Sequence, residues 1–428
     1  MQRYDTYKPS GVKWLGEIPS HWEVLALKHI LKSKKVLVGK HSSQYELLSL
    51  TLKGVVKRDM DNPEGKFPAS FDTYEAVEPN DFIFCNFDNE ETPRAVGLSP
   101  YKGMITGAYD VLSRNNPKLT DGFLIYYFLY IDDAKRFKPL YKGLRKTVPF
   151  DSFMSYKIPV PSIKEQNAIV SYLDAATAKI DAAIAQQQKM IEFLNERKQI
   201  IINRAVTKGL NPNAKMKDSG VEWIGEVPEG WEMRRLKRLL KANLMYGANE
   251  SAESEDESYP RYIRITDIDE DGKLRPDTFR SLPPAKAEPY LLKKGDLLFA
   301  RSGATAGKTY LFNEDIKACF AGYLIKASLK ETLLPEYLNY YTKSGIYDNW
   351  KKSIFIQATI PNIGAEKYAN LQITLPSIKE QKDIVKHLDV ETGKINQVVR
   401  NCKNQISLLQ ERKQIIINEV VTGKVKVG

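Results

Sequence analysis

Two copies of one pattern run through this chain, so any fold it adopts must repeat accordingly. Gly11-Val12-Lys13-Trp14-Leu15-Gly16-Glu17-Ile18-Pro19 returns 209 residues later as Gly220-Val221-Glu222-Trp223-Ile224-Gly225-Glu226-Val227-Pro228. A second tryptophan follows each, Trp22 and Trp231. Pro161-Ser162-Ile163-Lys164-Glu165-Gln166 returns as Pro376-Ser377-Ile378-Lys379-Glu380-Gln381, displaced by 215 residues. The same displacement carries Glu196-Arg197-Lys198-Gln199-Ile200-Ile201-Ile202-Asn203 onto residues 411–418. Three ordered matches do not arise by chance, and the chain is a tandem duplication. Between the Trp-containing opening and the Pro-Ser-Ile segment the copies diverge almost completely, with only a faint frame surviving. Asp81-Phe82-Ile83-Phe84 aligns there with Asp296-Leu297-Leu298-Phe299. Each unit reads as a shared support around a private insert.

Residues 163–206 contain neither proline nor glycine, which permits one long helix. Leu173, Ile180, Ile184, Ile191, Leu194 and Ile201 fall on a stripe spaced alternately by three and four, with Thr177, Gln187 and Lys198 between them. The second copy repeats the stripe as Leu388, Ile395, Val399, Ile406, Leu409 and Ile416. A coiled-coil seam requires this spacing. Two amphipathic helices on separate cores are the alternative, but they leave the matched seams unexplained. Antiparallel pairing would put the inserts at opposite ends, related by a pseudo-twofold axis. About 44 helical residues extend about 65 Å, and duplex DNA presents the same face about every 34 Å. The expected segments are residues 1–160, 161–209, 210–375 and 376–428. Ile200-Ile201-Ile202 and Ile415-Ile416-Ile417 exceed what a two-stranded seam buries, and either a partner helix or an internal core contact would cover the surplus.

The inserts carry short β-rich runs at residues 45–50, 81–85, 262–265 and 296–300, with aromatic helical stretches at 123–131 and 335–341. That is an α/β pattern. A net charge of +11 and pI of 9.1 favour contact with phosphate backbones. Basic side chains crowd the insert loops: Arg94, Lys102, Lys142, Arg145 and Lys146 in the first, Arg301, Lys308, Lys351 and Lys352 in the second. Arginine and lysine can bond phosphates or guanine edges, and Asn86, Asn89 and Gln357 carry amides that can read adenine. A solvated surface charge is the competing reading at each position. The three cysteines form no C-x-x-C pair and the four histidines have no ligand spacing, so neither a disulfide framework nor a metal site is expected. No signal peptide or bilayer-spanning run is evident, and a soluble cytoplasmic protein is the expectation.

Enzyme signatures fail on spacing. Gly303-Ala304-Thr305-Ala306-Gly307-Lys308-Thr309 has three residues between its glycines where a phosphate-binding loop needs four. Glu64 and Lys66 form only a short, common fragment of a nuclease pattern, absent from the second copy. There is no glycine-rich fingerprint for a methyl-donor cofactor, no Asn-Pro-Pro or Asp-Pro-Pro motif for amino methylation and no Ser/His/Asp set. The chain is expected to delegate catalysis.

The Ser10-Gly11-Val12-x-Trp14-Leu15-Gly16-x-Ile18-Pro19 opening, the Pro-Ser-Ile-x-Glu-Gln segments and the Glu-Arg-Lys-Gln-Ile-Ile-Ile blocks resemble the DNA-specificity (S) subunits of type I restriction–modification systems. Gly295-Asp296-Leu297-Leu298-Phe299-Ala300-Arg301-Ser302-Gly303 resembles a loop segment of that family's target-recognition domains and brings Ser302 into the candidate DNA-binding set. The first copy departs there, with Cys85-Asn86-Phe87 in place of Ala300-Arg301-Ser302. The resemblance implies an α+β fold with two α/β target-recognition domains in pseudo-twofold tandem repeat, separated by two long helices in an antiparallel coiled coil. It also implies a non-catalytic chain that binds double-stranded DNA, two methyltransferase (M) subunits and, in the full complex, restriction (R) subunits. S-adenosylmethionine, ATP and magnesium would belong to those partners. Three rival readings remain: a free-standing regulator, an enzyme using the Gly303–Thr309 loop, and a scaffold that never touches DNA.

Overall fold

The computed structural model describes residues 2–59, 68, 70–269, 272–355 and 361–427. It divides into two compact units. One comprises residues 1–187 and 403–428, the other residues 188–402. The units cut across the four segments expected from the sequence, because each long helix gives one half to each unit. These helices span Ile163–Lys208 and Ile378–Val421.

In the first unit the opening repeat folds as a hairpin, Tyr7–Pro9 against Glu17–Pro19. Gly11 and Gly16 hold φ of 70° and 64° there, and their equivalents Gly220 and Gly225 hold 72° and 71°. Left-handed backbone is cheap only for glycine, which explains why the motif keeps both. The insert is closed by an antiparallel neck in which Glu23–Ala26 pairs with Lys157–Val160. The second neck pairs Glu232–Arg235 with Gln372–Leu375.

Beyond each neck stands a four-stranded antiparallel sheet of the same order. In the first unit it runs Leu31–Ser33, Asp110–Arg114, Phe82–Phe84 and Val96–Leu98. In the second it runs Met245–Tyr246, Leu324–Ala327, Leu297–Ala300 and Thr309–Leu311. The Asp81 and Asp296 frame therefore marks a central strand of each sheet. Both aspartates are buried and accept a backbone N–H three residues back, from Glu78 and Lys293. The outer parts differ. The first unit adds the antiparallel pairs Leu48–Thr51 with Gly54–Lys57 and Glu75–Val77 with Gly103–Ile105. The second adds a parallel pair, Arg261–Ile263 with Ala318–Phe320. The helices Asp121–Asp133 and Pro335–Tyr341 pack on the shared sheets and cover the 123–131 and 335–341 stretches.

Each core joins sheet, tryptophan and both long helices. In the first unit Trp22, Phe82, Phe84, Phe123 and Phe128 share a cluster with Ile169 and Leu173 of one helix and Ile417, Val420 and Val421 of the other. In the second, Trp231, Leu297, Phe299, Tyr337 and Trp350 cluster with Ile384, Leu388, Ile202, Ala205 and Val206. Within each unit the helix halves run in opposite directions. Lys413 Nζ lies 2.7 Å from Asp181 Oδ1, and the repeat-equivalent Lys198 Nζ donates to Asn396 Oδ1 at 2.7 Å. The seam residues Leu173, Ile180, Leu388 and Ile395 are buried. Ile184, Ile191, Leu194, Ile201, Val399, Ile406, Leu409 and Ile416 are half-buried. The isoleucine triplets split, with Ile202 and Ile417 completing their own cores while Ile200 and Ile415 stay exposed.

Candidate nucleic-acid interface

The repeated Pro-Ser-Ile-x-Glu-Gln motif proves to be a clamp. Gln166 is fully buried, its Oε1 accepting from Thr120 N at 2.7 Å and its Nε2 donating to Lys118 O at 2.7 Å and Pro161 O at 2.9 Å. Gln381 makes the same three bonds with Leu334 N, Thr332 O and Pro376 O. Glu165 shares a reciprocal cap with Ser162 and accepts from Trp22 Nε1 at 3.2 Å, and Trp231 Nε1 donates to Glu380 Oε2 at 2.9 Å. Burial opposes ionisation of Glu165, but its bonds from His21, Ser162 and Trp22 outweigh it and hold the carboxyl below the usual glutamate range. The long helices are thereby fixed to the domains they carry.

Past the ends of the equivalent strands Phe82–Phe84 and Leu297–Ala300, the two units present unlike surfaces. In the first, Phe87 stacks with Tyr109 at 5.9 Å and the Arg145 guanidinium lies 5.2 Å from the Phe87 ring. Arg145 also pairs with Asp88 at 2.6 Å, and Lys146 pairs with Glu90. A tight turn joined by the Lys142–Thr147 bridge carries Lys142, Arg145 and Lys146, with Leu144 fully exposed between them. Lys102 pairs with Glu78 at 3.1 Å on the surface. In the second unit Arg301 lies 5.2 Å from the Tyr246 ring, and its backbone N–H donates to the carbonyl of Tyr323, which is 69% exposed. Ser302, Tyr323, Asn249 and Arg264 line a cavity of about 380 Å³ beside it. Surface ion pairs such as Lys102–Glu78 contribute little stability.

Three residues expected at the interface serve as supports instead. Asn86 is buried with Nδ2 donating to Asp110 at 2.7 Å, and Asn89 spends its amide on Cys85 O and the Tyr141 hydroxyl. Arg94 is held by Asp132 and Asp133 at 3.6 and 3.1 Å. Swinging any of them outward would give up these bonds. Lys352 is exposed on the Gly345–Phe355 helix, and Lys351 pairs with Asp348 at 2.7 Å. Gln357, like Glu64 and Lys66, lies outside the described residues. Leu144, Tyr246 and Tyr323 escaped the sequence reading, because exposure of an apolar or aromatic side chain has no local signature.

The Gly303–Thr309 loop spends its N–H groups internally: Ala306 N donates to Gly303 O, Gly307 N to Ala300 O and Lys308 N to Thr305 O. It leads into a strand rather than a helix. A phosphate-binding loop needs those donors and a helix N-terminus, so the loop cannot work as one. Among the described residues no helix is long and apolar enough to cross a membrane, and no group of three His, Cys, Asp or Glu is placed to hold a metal.

The profile of the type I restriction modification DNA specificity domain matches residues 100–192 and 228–407, more than half of the chain. The chain belongs to that family: it is a non-catalytic specificity subunit of a type I restriction–modification system. It is 26% identical over 335 residues to the type I restriction enzyme MjaVIII specificity subunit of Methanocaldococcus jannaschii, covering 76% of this chain and 75% of that one. It is 22% identical over 362 residues to the EcoKI specificity subunit of Escherichia coli K12, covering 81% and 75%. A chain from a structure concerned with complex assembly and conformational transition of the type I R-M system superposes with a TM-score of 0.69 at 16% identity, covering 95% of this chain and 99% of that one.

Proposed function

We propose that each unit reads one half of a bipartite, non-palindromic duplex site, and that the long helices dock two methyltransferase subunits. The observation that carries the reading is the contrast between frame and surface. Neck, four-stranded sheet and glutamine clamp recur in both units, while the strand-end surfaces differ in every side chain: Phe87, Asp88 and Arg145 in one, Tyr246, Arg301, Ser302 and Tyr323 in the other. A duplicated support with unlike tips suits two unlike targets. Lys102, Lys142, Arg145, Lys146, Arg301, Lys308, Lys351 and Lys352 are the proposed phosphate and base contacts.

Docking is supported by apolar side chains left uncovered at matching repeat positions. Phe193 and Ile200 on the first helix correspond to Leu408 and Ile415 on the second, and all four are exposed. Helical faces of this kind take a partner helix. Methyl transfer from S-adenosylmethionine and any use of ATP and magnesium fall to the partner subunits, including restriction subunits, which act with this chain where the genome lies, in the cytoplasm.

Exchange of residues 232–375 for the insert of another family member tests the modular reading, since both ends of that segment lie in the Glu232–Leu375 neck pairing. The methylated sequence should change in one half-site only. A change in both halves, seen by mapping methylated adenines, refutes it.

A further inference from the structure

A cleft of about 700 Å³ in the second unit is lined by six lysines, Lys241, Lys293, Lys294, Lys326, Lys330 and Lys382. Two acidic residues line it among those described, Asp296 and Glu331. Asp296 is buried, its carboxylate accepting from Lys293 N at 2.8 Å and from the Ser328 hydroxyl at 2.6 Å. Three of the amines are engaged within the fold. Lys326 Nζ donates to Leu291 O and Lys330 Nζ to Arg238 O, both at 3.1 Å, and Lys294 pairs with Asp315 at 2.5 Å. Lys241, Lys293 and Lys382 are exposed, and none has a carboxylate partner among the described residues. Leu329, Leu333, Pro335 and Ile378 give the same cleft an apolar lining.

This cleft lies at the end of the sheet away from the candidate interface. Asp296 precedes the Leu297–Ala300 strand and Arg301 follows it, while Ser328 follows the neighbouring Leu324–Ala327 strand and Tyr323 precedes it. From Gly295 to Arg301 the extended chain covers about 20 Å. Nor does the charge belong to the shared frame. Lys293 stands three residues ahead of the capped aspartate, where the first unit has Glu78. Lys326 pairs with Leu298 as Val111 pairs with Ile83. Lys330 Nζ bonds Arg238 O where Asn116 Nδ2 bonds His29 O, each carbonyl closing the same short turn. Lys382 follows the clamp glutamine, where the first unit has Asn167. Four matched positions thus carry four positive charges in the second unit and one negative charge in the first.

We propose that this cleft docks an acidic polypeptide segment of a partner subunit, its carboxylates meeting the lysines and its apolar side chains meeting Pro335 and Ile378. The cleft stands on its own geometry, while the assignment to a partner subunit rests on the docking reading above. A duplex held at the strand ends lies at the far end of the sheet. A phosphodiester backbone would also leave the half-buried Pro335 and Ile378 uncovered, whereas a polypeptide covers both kinds of lining. Opposite potentials across such a contact speed the encounter and fix its register. The first unit lacks the lysines, so the segment docks on the second unit alone, unlike a partner on the helix faces that the repeat supplies twice.

The test uses the full-length chain with a synthetic peptide of alternating glutamate and leucine as probe. Fluorescence anisotropy should detect binding that weakens as salt is raised. Lys293→Glu/Lys382→Asn installs the first unit's residues at two exposed positions and should weaken binding about tenfold. Lys293→Arg/Lys382→Arg keeps both charges and should bind as wild type does, which excludes misfolding as the cause. Equal binding by the wild type and the Glu/Asn variant overturns the cleft. Displacement of the variant-sensitive binding by unlabelled duplex DNA assigns the lysines to nucleic acid and overturns the polypeptide occupant. In the complex with methyltransferase subunits, a carbodiimide that couples amines to touching carboxylates should link Lys293 or Lys382 to a partner's acidic residue. Links confined to Glu331 of the same chain overturn the partner assignment. A chain that assembles with no methyltransferase subunit would sink the docking reading, while the peptide arm would still decide the cleft.

Discussion

Gln381→Ala should weaken the second unit by about 3–5 kcal/mol. The side chain is fully buried and forms three hydrogen bonds of 2.8–3.0 Å, to Leu334 N, Thr332 O and Pro376 O. Each such bond is worth about 1 kcal/mol net, and a buried group left without its partner costs more. Truncation also leaves a void beside the Pro335–Tyr341 helix, which adds a packing cost. Gln381→Glu keeps the volume and the acceptor for Leu334, yet turns a carboxylate toward two carbonyl oxygens, so it should also destabilise. Two units need not unfold together, so a single unfolding free energy is a poor readout. Hydrogen exchange by mass spectrometry resolves them. Peptides covering residues 325–345 should exchange faster in Gln381→Ala, with those covering 116–131 unchanged. Gln166→Ala should give the reverse pattern, since Gln166 bonds Thr120 and Lys118 in the first unit. A loss below about 1 kcal/mol with unaltered exchange would refute the clamp and leave the repeated glutamine to some other task.

Gly393 sits inside the second long helix, exposed and with open space where a Cβ would go. Gly393→Ala should therefore stabilise the second unit by about 1 kcal/mol, measured as slower hydrogen exchange in peptides covering residues 385–400. All three thiols are buried, and burial pushes the Cys319 thiol up to about 12. Cys85 is raised for the same reason. A thiol reagent at mildly alkaline pH should find almost no reactive group in the folded chain and three after denaturation, because the thiolate is the reacting form.

Much of the frame was legible because its signals are periodic. The heptad stripe that begins at Leu173 and Leu388 depends only on helical geometry, and Leu173, Ile180, Leu388 and Ile395 on it are buried. Asp81 and Asp296 marked the central strands because each caps its own turn, a local event. The interface was less legible. Asn86 and Arg94 look like readers in sequence, but Asp110 and Asp132 claim them from 24 and 38 residues away. Conversely, Tyr323 becomes prominent only because the strand entered by Leu324 ends beside Arg301.

The sequence by itself determined the doubling, the two long helices, their seams and the places where one insert stops resembling the other. Those properties follow from repetition and from the period of a helix, which any short window of residues expresses. Tertiary structure alone decided which half of each helix serves which unit, and which charges are spent within the fold and which stay exposed. The physical reason is distance: an amine's partner is fixed by groups brought near by folding, and chain order carries no record of that proximity.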